Sequence, residues 1–315
     1  MPRVSIVIPF LSSDDPLEET LVSVLSNRPK DSEVIVVHRG RYDDPYDLAE
    51  EVRFVHAAPT ASMTEAVNRS FAIAKGDVIH LLACGMEADD GWVEPAIAHF
   101  DDVRVGMVTP LHTSGNHLAS AGVKMSVTGQ RIECGTDCVY QCGLRPSLDP
   151  SGPTHSAAFY RRSAIQACGG FSERAGDANA DLDLALTLLS LGFVGRFEPE
   201  CRVRGPAVKT TPDSAFTNGR HAQQLVLRHT GWLKTLTLHA WEVGLETASR
   251  FWMPATWSKL MGRAAACLDI RSYRNEPREL AATEPAEQSA WHRVESPHCH
   301  QPSTASHTAD KRQSA

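Results

Sequence analysis

No stretch of this 315-residue chain approaches the ~20 consecutive apolar residues that a membrane-spanning helix needs. No transmembrane segment is expected. An excess of positive charge is also missing: 31 basic against 38 acidic residues leave a formal net charge of -7. General electrostatic attachment to nucleic acid needs a basic surface that displaces counterions, so that class of function is disfavoured and only a local basic cleft stays open. There is no dense cysteine framework either. The eight cysteines are scattered, as suits reduced thiols in a cytosolic protein. The apolar run Val4-Ser5-Ile6-Val7-Ile8-Pro9 is too short and too β-branched for a signal peptide, and no small-residue cleavage site follows it. The expectation is a cytoplasmic chain that starts in a strand. What is present, 42% hydrophobic and 22% charged residues, is the composition of an ordinary globular protein with a full-sized core in one or two domains.

Strands and helices alternate in the N-terminal half. Val4–Phe10 reads as a strand buried on both faces, and Asp14-Asp15-Pro16 as the cap of a helix carrying Leu17, Leu21, Val24 and Leu25 on one face. Glu33–Val37 and Arg53–His56 are the next strands. Ser62-Met63-Thr64-Glu65 spells a capping box for a helix predicted to run to Lys75 and stop at Gly76. Val78–Leu82 is a strand, Trp92–Phe100 a helix and Val103–Val108 a strand. Repeated βα units predict a mainly parallel sheet with helices on both faces, and ligands in such sheets sit beyond the carboxyl ends of the strands. Residues after Pro9, Val37 and Leu82 are therefore the ones to watch. Residues 113–155 are rich in Gly, Ser and Thr, with a hairpin predicted over Val123–Ile132 around Thr128-Gly129. Asp181–Leu191 reads as a helix. Beyond about Pro212 helices dominate and four of the six tryptophans occur (Trp232, Trp241, Trp252, Trp257). The boundaries expected are 1–211 for the α/β domain, 212–273 for a helical extension and 274–315 for a tail too polar to order itself.

In order and approximate spacing, Val4–Pro9, Glu33–Val37, Ala66-Val67-Asn68, Gly76–Leu82, Gly91-Trp92-Val93-Glu94, Phe159–Arg162, Gly169-Gly170-Phe171, Asp181–Leu184, Gly192-Phe193 and Pro199-Glu200 resemble the landmarks of family 2 glycosyltransferases. The resemblance spans about residues 3–205. It implies a GT-A type nucleotide-binding fold and inverting transfer of a sugar from a nucleotide-sugar donor to a glycan or lipid-linked acceptor. On the same resemblance Pro9, His38, Arg39, Asn68, Ala83, Cys84 and Gly85 fall at donor-binding positions, and Asp181 at the position of the catalytic base.

Such a transfer needs a base for the acceptor hydroxyl and positive charge for the departing diphosphate. The family's acidic metal-binding triplet aligns with Ala83, Cys84 and Gly85, none of them a hard-cation ligand, and its metal-site histidine with Gly205. A divalent Mg or Mn ion is therefore not expected, and Arg39, Arg161, Arg162 or Arg204 would offset the diphosphate instead. Glu87 is the nearest acid to the lost triplet, while Asp89-Asp90 reads as a turn cap. The acidic pair that reads the nucleobase is replaced by His38-Arg39. Asp181 has two readings, a catalytic base or a first-turn acid favoured by the helix dipole.

Cys134, Cys138 and Cys142 could hold a metal with His155 as a conceivable fourth ligand, but their spacing fits no structural zinc pattern, so free thiols are the plainer reading. The Trp-rich helices of residues 232–268 suit either packing on the α/β domain or peripheral contact with the inner face of a membrane. Because so many of the family's site residues are replaced, an inactive descendant that binds a glycan or a partner enzyme is the alternative to a transferase.

Overall fold

The computed structural model describes residues 3–39, 44–135, 138–139, 150–206, 214–230, 234–269 and 291–293. It opens with β1 (Val4–Phe10), α1 (Leu17–Asn27), β2 (Ser32–Arg39), β3 (Val52–Ala57), α2 (Met63–Ile73) and β4 (Val78–Leu82). Then come β5 (Glu87–Ala88), α3 (Val93–Ala98), β6 (Val105–Ser114), β7 (His117–Ser120), the hairpin β8 (Val123–Met125) and β9 (Arg131–Glu133), and β10 (Cys138–Val139). The α/β part closes with β11 (Ala157–Arg161), α4 (Arg162–Cys168), α5 (Ala180–Ser190) and β12 (Val194–Arg204). Three helices follow, α6 (Ala215–His229), α7 (Lys234–Ser249) and α8 (Pro254–Leu268).

The main sheet runs β10-β7-β6-β11-β4-β1-β2-β3, with β12 beside β6. Neighbours β4, β1, β2 and β3 are parallel, as are β6 and β12. Between these parallel sets β11 runs antiparallel to both β4 and β6. Both faces are covered. Val4, Ile6 and Ile8 enter one core with Leu21, Val24 and Trp92, while Val7 enters the other with Val67, Phe71 and Leu184. This is why β1 reads as a continuous apolar run and not as an alternating one.

The capping box of α2 is complete. Glu65 N donates to Ser62 Oγ at 3.1 Å, and Ser62 N donates to Glu65 Oε2 at 2.6 Å. The helix ends at Ile73, two residues before the expected stop. At α1 the expected cap takes another form. Asp15 Oδ2 accepts from Leu11 N and Ser12 N at 3.0 and 2.8 Å, so it braces the loop after β1, and Pro16 stands at the N-cap position without a side-chain cap.

One polar side chain is sealed in the middle of the sheet. His80 on β4 is fully buried and stacks on Phe159 of β11 with ring centroids 3.8 Å apart. Trp92 Nε1 donates to His80 Nε2 at 3.2 Å, and His80 Nδ1 lies 3.0 Å from Ala158 O. An indole N–H can only donate, so Nε2 must accept and Nδ1 must carry the proton. Burial lowers its pKa to about 4.

The helical extension packs against the domain. α6 and α8 cross where Gly219 lies on the Lys259 carbonyl and Gly262 on the Phe216 carbonyl, and a Cβ at either glycine would collide with that backbone. Arg263 Nη2 donates to Thr128 O at 2.8 Å, and His239 Nδ1 donates to Val127 O at 2.9 Å. Both therefore hold the β8–β9 turn. The expected boundary at 211/212 lies outside the described residues. So does most of the expected tail, of which Trp291–Arg293 form a short strand, β13, parallel to β12.

Candidate functional site at the carboxyl edge of the sheet

At the carboxyl end of β4 the loop of Ala83, Cys84 and Gly85 is tied down at each residue. Ala83 N donates to Ser156 O at 2.8 Å, Cys84 Sγ to Pro9 O at 3.2 Å, and Gly85 N to Thr20 Oγ1 at 2.8 Å. Burial, with the charge of Asp15 added, pushes the Cys84 thiol up to about 12, so it stays protonated and is no thiolate ligand. Gly205 presses on this loop. A Cβ there would come within 2.6 Å of Gly85 O and 2.8 Å of Met86 Sδ, so a side chain at 205 would displace backbone. The nearest acids are engaged with Arg204, Asp89 at 2.6 Å and Glu87 at 3.8 Å, all of them exposed. A methyl group, a half-buried thiol and a glycine do not fit a hard divalent cation. Cys134 is buried, Cys138 lies in β10 and Cys142 is outside the described residues. Among the described residues no three His, Cys, Asp or Glu side chains group as a metal site.

One strand away, the start of α5 carries a buried charge network. Asp181 is wholly inaccessible. Arg131 of β9 grips it with two nitrogens, Nε to Oδ1 at 2.9 Å and Nη2 to Oδ2 at 2.7 Å. His155, just before β11, places Nδ1 3.0 Å from Oδ2 and also brings its backbone N to 3.3 Å. Leu182 N takes Oδ1 at 2.7 Å. Burial alone would raise the carboxyl pKa, but the charge of Arg131 and the hydrogen bonds from Arg131 and His155 outweigh it and hold Asp181 well below the usual carboxylate range. Two residues on, Asp183 pairs with Arg228 at 3.3 Å and His229 at 2.9 Å of α6. The two acids occupy the first turn of α5, where the helix dipole favours them.

Of the other expected residues, Pro9 touches the β4 loop as described. Arg39 is half-buried at the end of β2, and His38 is buried edge-on to Phe54 and His56, with ring centroids 6.5 and 5.5 Å away. Asn68 turns elsewhere. Its Nδ2 donates to Phe171 O and its Oδ1 accepts from Phe171 N, at 2.9 and 2.8 Å, so its amide is spent on holding that turn. Arg161 and Arg162 lie at the wrong edge. Arg161 pairs with Val78 at the amino end of β4, four residues and about 13 Å from Leu82. Its guanidinium donates to the carbonyls of Phe100, Asp102 and Val105, and both arginines line a cleft of about 290 Å³ on that side. Neither can meet a ligand beyond the carboxyl ends of β1 and β4; of the four expected arginines, Arg39 and Arg204 stand on that edge. Arg131 and His112, whose Nε2 lies 3.2 Å from Gly205 O, were not among the expected site residues. Nothing local in the sequence marks a residue 50 positions before Asp181 as its partner.

The class these features define is a GT-A type α/β fold with its candidate site at the carboxyl edge. Residues 5–135, less than half of the chain, match the family model described as glycosyl transferase family 2. Among solved structures, GalNAc-T7 with UDP, GalNAc and Mn2+ is similar with a TM-score of 0.57 at 14% identity. The similarity covers 88% of this chain but only 59% of that one. The mannosyltransferase PcManGT from Pyrobaculum calidifontis, in complex with GDP-Man and Mn2+, is similar with a TM-score of 0.48 at 15% identity, over 86% of this chain and 76% of that one. No curated protein matches the chain.

Proposed function

We propose that this protein transfers a sugar from a nucleotide-sugar donor to a glycan or lipid-linked acceptor, by single displacement with inversion and without a bound metal. The observation that carries the reading is the glycosyl transferase family 2 match over residues 5–135, on a fold whose donor-side loop offers no hard-cation ligand. The acceptor oxygen would attack the anomeric carbon while the diphosphate leaves toward Arg39 and Arg204. Titration calorimetry with UDP- and GDP-sugars should show binding that is the same in Mn2+ and in EDTA. No binding of any such donor in either condition overturns the proposal. Binding that requires Mn2+ overturns its metal-free part. The close approach of Gly205 to Gly85 favours a second reading, a protein that binds a sugar without transferring it; measurable release of nucleoside diphosphate from a donor excludes this.

The helical extension carries exposed apolar side chains that suit a lipid surface. Leu238, Trp241 and Leu245 recur along α7, and Phe251, Trp252 and Met253 sit at the turn before α8 with Trp257 and Met261 beyond, all between 46 and 70% exposed. No described helix is long and apolar enough to cross a membrane. Contact would be peripheral, with tryptophan at the interface and little dependence on salt because the segment carries few net charges. The expected result is co-sedimentation with phosphatidylcholine–phosphatidylglycerol vesicles, weakened in the W252A/W257A double variant. Equal recovery of wild type with and without vesicles sinks the idea.

A further inference from the structure

We propose that His155 is the base that deprotonates the acceptor hydroxyl, with Asp181 as the positioning residue behind it. The proposal rests on the glycosyl-transfer reading above and deepens it. A base must come within about 2.6–3.2 Å of the proton it takes. Asp181 has no exposed atom, and its two oxygens are taken by Arg131, His155 and Leu182 N. An incoming hydroxyl has no path to it.

His155 stands in front. A carboxylate gripped by a guanidinium stays ionised and can only accept hydrogen bonds, so the 3.0 Å contact requires the proton on His155 Nδ1. In the neutral ring the lone pair is then on Nε2. Among the described residues no group hydrogen-bonds to Nε2, and the side chain keeps 7% of its surface open. The neighbouring Ser156 carbonyl takes the N–H of Ala83, which sets His155 beside the loop at the carboxyl end of β4, where a donor sugar would lie. A buried carboxylate that fixes an imidazole tautomer and leaves the far nitrogen open is the arrangement used to activate hydroxyl groups. The charged groups around it are Asp181, Arg131 behind Asp181, and Glu133, 3.5 Å from Arg131 Nη1.

In the step, Nε2 takes the acceptor proton as the acceptor oxygen bonds to the anomeric carbon. The bond from that carbon to the β-phosphate oxygen breaks, and its electron pair leaves on the nucleoside diphosphate. Asp181 offsets the imidazolium formed.

The test uses the full chain with UDP-glucose, UDP-N-acetylglucosamine and GDP-mannose as donors and water as acceptor, reading nucleoside diphosphate release. His155→Gln should bind donor like wild type and unfold at the same temperature, yet lose roughly 100-fold or more of the release rate. Imidazole in the buffer should restore part of the activity of His155→Ala, which a merely structural role would not allow. Retention of release by His155→Gln within a few-fold, or no rescue, overturns the assignment. Imidazole 15N spectra give a reading that needs no turnover: the Nδ1–H tautomer is expected for His155, and the Nε2–H tautomer overturns the proposal. If wild type binds none of the donors, the transfer reading itself has failed, which is seen before any variant is made. If donor binds and only the His155 results go the other way, transfer stands and the base alone is wrong.

Discussion

Lowering the pH from 6.5 to 4 should destabilise the fold by about 3 kcal/mol through His80 alone. In the folded state its Nε2 must accept from Trp92 Nε1, and Phe159 covers the ring, so a second proton would set two N–H groups against each other in a dry site. The folded pKa is about 4, against 6.5 for a free imidazole. Between these values the unfolded chain binds a proton that the folded chain refuses. Stability is therefore full above pH 6.5, falls as the pH drops through this window, and levels off below 4 as far as His80 is concerned. His112 and His239 are shifted in the same direction by burial and add to the slope. Comparison with His80→Gln isolates the effect. Urea unfolding of both proteins at several pH values should show the difference between them closing as the pH falls from 6.5 to 4. A constant difference would show that His80 is not the group responsible.

Asp181→Asn should destabilise the protein by about 3–5 kcal/mol at neutral pH, measured by urea unfolding. The loss is due less to the missing attraction than to what stays behind. Arg131 would be left mostly enclosed with its charge opposed, among the described residues, only by Glu133, 3.5 Å from Nη1, and His155 Nδ1 would face an amide. That residual pair places the expectation at the lower end of the range. The double variant Arg131→Met with Asp181→Leu removes both charges and should be distinctly more stable than Asp181→Asn, since no buried ion is then left unpaired. If the double variant is the worse of the two, the pair itself stabilises the fold and the desolvation account fails. The pH window differs from that of His80. A carboxyl with a depressed folded pKa contributes stability that is present above its unfolded value, about 4, and is lost only as the pH falls further. Acid titration between 6.5 and 4 therefore reports His80, and more acidic conditions report Asp181.

Much of the architecture is legible from neighbouring residues. The β-branched run of Val4–Phe10, the strand Val78–Leu82 with its observed limits, and both arms of the Ser62–Glu65 capping box follow from contacts within a few positions. The position of Asp181 at the head of a helix was legible in the same way. The environment of that carboxylate was not. Arg131 is 50 positions away and His155 is 26 away, and they meet Asp181 only because the β8–β9 hairpin folds onto α5 while β11 enters the sheet antiparallel between β4 and β6. That same reversal of β11 carried Arg161 and Arg162 to the far edge, although both belong to a stretch that carries the sequence resemblance.

The loop after β4 shows the same division. That Ala83, Cys84 and Gly85 bring no hard-cation side chain to it is read directly from residue type. Only the tertiary structure showed Gly205 pressed on the Gly85 carbonyl, because that contact joins residues 120 positions apart. By itself the sequence determined the α/β elements and the capping box of α2, since each is set by residue type and short-range periodicity. Which charges face one another, and which imidazole nitrogen is left open, was decided by strand direction and packing, which bring distant segments into one dry site.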